Sequence, residues 1–341
     1  MIETVLGPIR PDELGAVSTN EHVLTDSRHL QRAARDGSRL DGPLTIDMLG
    51  DLRWNWLGSS DNLTLDDRDL AAAELARAGA VGLTGIVEAT SWGMGPRHAD
   101  LPDVAKSAGI HIISAYGSYI DKTLPEWWRD QTESEMEHAF RVALTQGVPG
   151  TNFRAGALGL LGTSATPLEP EQRALRAAAR VAVETGCAIS IRLDAAARRA
   201  GEIIDTLTAE GVAADKVLLC NMDKVLDLSY ILSAVDRGAV IEFAFGSESN
   251  FADRARDATD VERLDALVAI LDRRPDAAVT LSCSVWTKGQ LARYGGMGYS
   301  HVVQRVAPTL ERLGVSRDRV HTMLVDRPAL LLDRKDNNDD K

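Results

Sequence analysis

Few residues of this chain combine reactive chemistry with a telling position. His22, in the segment NEH, carries the side chain whose ordinary pKa lies nearest neutrality, so it is the first candidate for moving a proton. Its alternative is a hydrogen-bonded place in the interior. Arg192, in SIRLD, is permanently charged and can grip a carboxylate or phosphate through two parallel hydrogen bonds. Its alternative is a buried ion pair with Asp194, Asp223 or Glu242. Asp194 follows two residues later, on the same strand face or in the loop beyond, and is either a general base or a loop acid. Ser284 as a nucleophile activated by His22 lacks a visible third member, and Cys283 would need a base and a lowered pKa. Side chains alternate across a strand, so Cys220 and Cys283 are expected to point away from the face that carries Asn221 and Ser284. There they would be small buried core residues.

The elements that must position these groups alternate along the chain. Short apolar, β-branched runs fall at 15–23 (GAVSTNEHV), 82–89 (GLTGIVEA), 111–117 (HIISAYG) and 153–161 (FRAGALGLL). Four more follow at 187–193 (CAISIRL), 216–221 (KVLLCN), 239–246 (AVIEFAFG) and 278–285 (AVTLSCSV), each bounded by glycine or polar residues. Helical patterns lie between them, at 66–78, 133–145 and 169–186, with others beginning near Ala197, Lys224, Asp260 and Ser300. The third should end at Gly186, a helix-stopping glycine. Eight alternating units predict parallel strands joined by right-handed crossovers. At 341 residues the natural architecture is a single (β/α)8 TIM barrel of class α/β, with reactive groups at the C-terminal ends of the strands. The expected domain covers 1–332, and 333–341 (DRKDNNDDK) reads as a disordered polar tail.

Composition narrows the partners. Lys plus Arg is 38 against 50 for Asp plus Glu, a net charge of −12 that repels nucleic-acid backbones and anionic membranes. No apolar run approaches membrane-spanning length, and the first residues show no basic segment followed by an apolar one. Three widely spaced cysteines argue against a disulfide framework and fit a reducing, cytoplasmic setting. The glycines of GTSATP and RYGGMG do not form a nucleotide-binding fingerprint, so no cofactor is expected.

Several stretches, in order along nearly the whole chain, carry a resemblance. They are TVLGPIRPDELGAVSTNEH, DMLGDLRWNWLGSSDNLTLDD, RAGALGLLGTS, KVLLCNMDKVLDLSYI, TKGQLARYGGMGYSHVVQRVAPTL and VDRPALLL. Together they resemble the phosphotriesterase-related branch of the amidohydrolase superfamily, with Arg327 where that branch has Asn in the last motif. The resemblance implies a two-metal site built from an HxH on the first strand and a carboxylate or modified lysine on the fourth. The fifth and sixth strands each add a histidine, and the eighth an aspartate. The matching positions here are Asn20 and His22, Leu160 (after Gly159), Arg192, Asn221 and Ser284. Only His22 keeps the family's residue.

One imidazole, two amides, a hydroxyl, a leucine and a guanidinium make a poor site for a divalent ion, so no metal is expected. The same set suits an anionic, carbonyl-bearing small molecule. In that reading Arg192 holds negative charge, His22 moves the proton, and Asn20, Asn221 and Ser284 orient the substrate. Tyr119, where relatives have a pocket tyrosine, with Trp92 and Trp286, would wall the ligand. The expected reaction is metal-independent: hydrolysis, elimination, cyclisation or isomerisation, with specialised metabolite biosynthesis as a setting by analogy alone. One competing expectation is a non-catalytic protein that binds a ligand or partner. Another is a residual metallohydrolase recruiting Asp194, Asp223, Glu21 or Glu242. Four polar replacements out of five favour a reworked site over decay. The resemblance also implies a homodimer.

Overall fold

The computed structural model describes residues 1–247, 249–251 and 255–334. All eight expected strands form: β1 Val17–Glu21, β2 Gly85–Glu88, β3 His111–Tyr116, β4 Ala157–Gly162, β5 Ile189–Arg192, β6 Val217–Cys220, β7 Val240–Ala244 and β8 Val279–Ser282. They pair in chain order, every pair parallel, in one eight-stranded sheet. The sheet curls until β8 meets β1, where the His22 amide donates to the Val285 carbonyl at 2.9 Å.

Glu21 completes that seam. Its carboxylate accepts the Cys283 amide at 2.7 Å and the Val285 amide at 2.8 Å, so a side chain stands in for missing ladder bonds. Burial pushes this carboxyl up to about 7, against the pull of the Ser18 hydroxyl and the β8 amides.

The outer helices are α1 Arg68–Gly79, α2 Leu101–Ala108, α3 Glu133–Thr145, α4 Glu169–Thr185, α5 Ala200–Ala209, α6 Leu228–Val235 and α7 Asp260–Arg273. The eighth, α8, opens as a π-helical turn over Val302–Val306 and continues through Ala307–Arg312. Their ends carry the expected signals. The Asp67 side chain accepts the first free amides of α1, Thr132 with Glu135 and Thr259 with Glu262 close capping boxes on α3 and α7, and Gly186 ends α4 at φ +67°. The helix Leu101–Ala108 is only weakly marked in the sequence. It is short, and begins at a proline-containing turn (LPD).

Apolar residues form two layers. The outer cluster packs strand faces such as Ile191, Leu219 and Phe243 against the helices. The inner cluster fills the barrel with Val17, Val87, Ala115, Leu218 and Val240, and is plugged below by Ile2, Leu14, Leu331 and Leu332. Asp333 and Arg334, assigned to the tail by sequence, are tied down. Asp333 pairs with the N-terminal amine at 2.6 Å, and Arg334 donates to the Leu144 carbonyl at 3.0 Å and to that of Ala155. The rest of the expected tail, 335–341, lies outside the described residues. Among the described residues no helix is long and apolar enough to cross a membrane.

Candidate active site

A cavity of about 310 Å³ opens at the C-terminal ends of the strands. His22, Tyr119, Arg192, Asn221, Ser284 and Trp286 all line it, as does Leu160. Asn20 lies directly beneath, fully buried. Leu160 faces inward because β4 bulges. Its register with β5 slips between Leu158 and Leu161, so 158 and 161 both pack outward while Leu160 joins the inner cluster. The bulge needs Gly159, at φ +138°, where a Cβ would stand 2.7 Å from the Ser190 carbonyl oxygen.

Two strand ends leave the extended backbone. Asn221 sits at φ +56° and Ser284 at φ +45°. This corrects the expectation for Cys220, which shares the inner face with Leu218 by ordinary alternation, while the left-handed turn brings the Asn221 side chain to the cavity as well. Cys283 does lie in the outer layer. All three cysteines are buried and none lines the cavity, and burial raises their thiols.

A buried carboxylate organises the floor. Glu242 accepts the Asn221 amide at 2.5 Å, the Asn20 side-chain amide at 3.3 Å and the Ser282 hydroxyl, while burial and nearby Asp223 push its carboxyl up. Asn20 also donates to Asn221 Oδ1 at 3.2 Å. With Oδ1 engaged, the Asn221 amide nitrogen is the end left to donate into the cavity.

Arg192 forms no ion pair among the described residues. Its Nη1 donates to the Leu193 carbonyl. The three acids expected as its partners are committed elsewhere. Asp194 caps the loop at the Ala197 amide (3.0 Å) and does not line the cavity, which corrects its placement as a catalytic base. Asp223 binds the buried Arg263 guanidinium at 2.9 Å, and Glu242 serves the floor. His22 touches the Thr90 hydroxyl through Nδ1 at 3.1 Å, and burial lowers its pKa to about 3, so the ring is neutral.

The structure adds groups that sequence reasoning missed. Leu30 and Met94 extend the apolar wall, and Lys224, Ser247, Arg256 and Asp257 come from the loops after β6 and β7. Lys224 and Asp257 neutralise each other at 2.6 Å. Only a lone acid in an otherwise apolar strand (Glu242 in AVIEFAFG) was a readable signal, since a buried charge there requires partners.

Trp92 does not enter the cavity, which corrects its assignment to the ligand wall. Its ring packs against those of Trp127 at 5.0 Å, His98 at 5.9 Å and Tyr116 at 6.4 Å, so aromatic packing claims it. Burial in this cluster lowers the His98 pKa to about 4. An unfolded His98 binds a proton below about 6.5, whereas the folded one does so only near 4, so its contribution to stability is lost as pH falls through that window. Wild type should therefore lose about 2 kcal/mol more than His98→Phe between about pH 7 and 5 in urea unfolding. Equal losses would contradict a neutral buried ring.

The six positions at which the resemblance implies metal ligands are a poor fit to a divalent ion here. They offer one imidazole, and a dication about 4 Å from a guanidinium is repelled by several kcal/mol at an effective dielectric near 20. Among the described residues no group of three or more His, Cys, Asp or Glu side chains is arranged to hold a metal ion.

Fold and site thus define an eight-stranded parallel barrel with a polar, cation-bearing mouth. The chain belongs to the Phosphotriesterase family, whose model matches residues 1–332. It is 29% identical over 335 residues to an N-acetyltaurine hydrolase of Salmo salar, with 96% of each chain covered. A resiniferatoxin-binding protein from Rhodobacter sphaeroides superposes with a TM-score of 0.94 at 30% identity, covering 97% of this chain and 94% of that one. A variant of a phosphotriesterase-like lactonase from Deinococcus radiodurans gives a TM-score of 0.76 at 25% identity, covering 98% of this chain and all of that one (100%). The relatives include hydrolases on this barrel, and the present chain carries the barrel whole.

Proposed function

We propose that the chain is a metal-independent hydrolase for a small anionic compound with an ester, lactone or amide carbonyl. The observation that carries this reading is the Arg192 guanidinium, lining the cavity without a carboxylate partner among the described residues, at a position where the resemblance implies a metal-binding histidine. A fixed positive charge in a secluded mouth favours an anionic group or a developing oxyanion. Relatives named for N-acetyltaurine hydrolysis make an anionic N-acyl compound the first class to examine.

In the proposed step His22 takes a proton from water as the oxygen attacks the carbonyl carbon. Arg192 and the Asn221 amide hold the oxyanion, and its collapse expels the leaving group, which takes the proton back from His22. Ser284 orients the carbonyl end, while Asn20, expected from sequence to touch substrate, is buried below the cavity and instead holds Asn221 Oδ1; Tyr119, Leu160 and Trp286 hold the remainder.

The test is a panel of anionic N-acyl amino and sulfonic acids, esters and lactones, assayed with a chelator present. Hydrolysis should survive chelation, and Arg192→Met should weaken kcat/KM about ten- to a hundredfold, the loss of a charge-assisted hydrogen bond. Hydrolysis abolished by the chelator, or untouched by Arg192→Met, would overturn the reading. A second reading, ligand binding without turnover, is favoured by the relative described as a resiniferatoxin-binding protein. It predicts binding but no product across the panel.

A further inference from the structure

We propose that Glu88 and Thr90 act as positioning residues that fix His22 as its Nδ1–H tautomer, leaving Nε2 as a hydrogen-bond acceptor toward the cavity. The inference rests on the reading of His22 as the proton acceptor and extends it to residues outside the family's ligand positions. Glu88 and Thr90 are two apart at the C-terminal end of β2, where the chain reads GIVEAT. Both are buried.

The direction of the hydrogen bonds decides the tautomer. Glu88 accepts the Val23 and Thr90 amides, each at 3.3 Å; burial raises its carboxyl to about 7 against these donors, so the arrangement described holds for the carboxylate above that value. The Thr90 hydroxyl donates to the same carboxylate. A hydroxyl has one proton. With that proton committed to Glu88, Thr90 Oγ1 meets His22 Nδ1 at 3.1 Å as an acceptor, so Nδ1 carries the hydrogen. Nε2 then holds the ring's lone pair. It makes no hydrogen bond among the described residues, and His22 lines the cavity.

The relay also serves the reaction. When Nε2 takes a proton from water, the imidazolium's positive charge faces the Glu88 carboxylate through a single intervening hydroxyl. No proton has to leave Glu88, and none is lost from the balance. The water's proton resides on Nε2 until the leaving group takes it.

Nitrogen-15 NMR of the full chain labelled at its seven histidines reads the tautomer directly and needs no substrate. Spectra of His22→Asn identify the His22 signals. At about pH 8, above the value of about 7 to which burial pushes Glu88, wild type should show a protonated Nδ1 and a bare Nε2. Thr90→Ser should keep that pattern, and Thr90→Val should turn it into a mixture with the Nε2–H form. Wild type in the Nε2–H form would overturn the proposal, as would a Thr90→Val spectrum identical to wild type. Either failure leaves the acid–base role of His22 to be judged separately by the rate of His22→Asn.

Discussion

Replacing His22 by asparagine is expected to lower kcat by about 10²- to 10⁴-fold, the usual contribution of a positioned proton-transfer group, with little change in KM. The ring is nearly buried and burial lowers its pKa to about 3, so it is unprotonated at assay pH but a weak base, which sets the expected loss at the lower end of that range. Asparagine keeps a polar group within reach of Thr90 but cannot take a proton. The check is a steady-state comparison on whichever panel compound is hydrolysed, with unfolding curves confirming that the variant is folded. A loss below about tenfold would mean that His22 is a relic packed in the barrel and that some other group moves the proton.

The second large effect concerns stability. Arg263 is fully buried on α7. Its Nε meets Asp223 at 2.9 Å, its Nη1 meets Asp260 at 3.0 Å, and its Nη2 donates to the Ser247 carbonyl at 2.8 Å. Asp260 in turn accepts the Gly246 amide at 2.9 Å and meets His301 Nε2 at 2.5 Å. Arg263→Met would strand the Asp223 carboxylate in the interior, and breaking such a buried pair costs about 3–5 kcal/mol. The melting temperature should drop by roughly 10 °C. Adding Asp223→Asn should recover part of the loss, because the stranded charge is then gone. Since Ser247 lines the cavity, KM should rise in the single variant as well. A single variant as stable as wild type would show that the network contributes nothing.

The two effects also mark what was readable in the sequence. The strands could be placed because each is a short apolar run with turn residues at both ends, and the barrel followed from their number and alternation. His22, Arg192, Asn221, Ser284, Tyr119 and Trp286 meet at one cavity because all lie at C-terminal strand ends, where barrel topology gathers them. Alternation alone could not settle orientation where the backbone departs from it. The left-handed turn at Asn221 brings that side chain to the cavity although Cys220 before it already faces inward, and the bulge at Gly159 turns in Leu160. Asp194 and Trp92 had positions suggestive of a site. The first is held by a local loop amide and the second by a cluster of rings contributed from distant segments, and neither partnership shows in local sequence. Lys224, Ser247 and Asp257 reach the cavity from loops whose paths depend on Arg263, one helix further on. Glu88 and Thr90 carried a weak signal, a carboxylate and a hydroxyl two apart on one strand face, which gains meaning only when His22 is found beside them.

The proposed function requires that side-chain electrostatics, and no bound metal, act at this mouth. Its most direct test is elemental mass spectrometry of protein purified without chelator, alongside Arg192→His. The account predicts less than about 0.1 equivalent of any transition metal in the wild type, short of the ligand count a catalytic ion needs. One or two tightly held equivalents in the wild type would contradict it and make metal-assisted hydrolysis the leading explanation of the site.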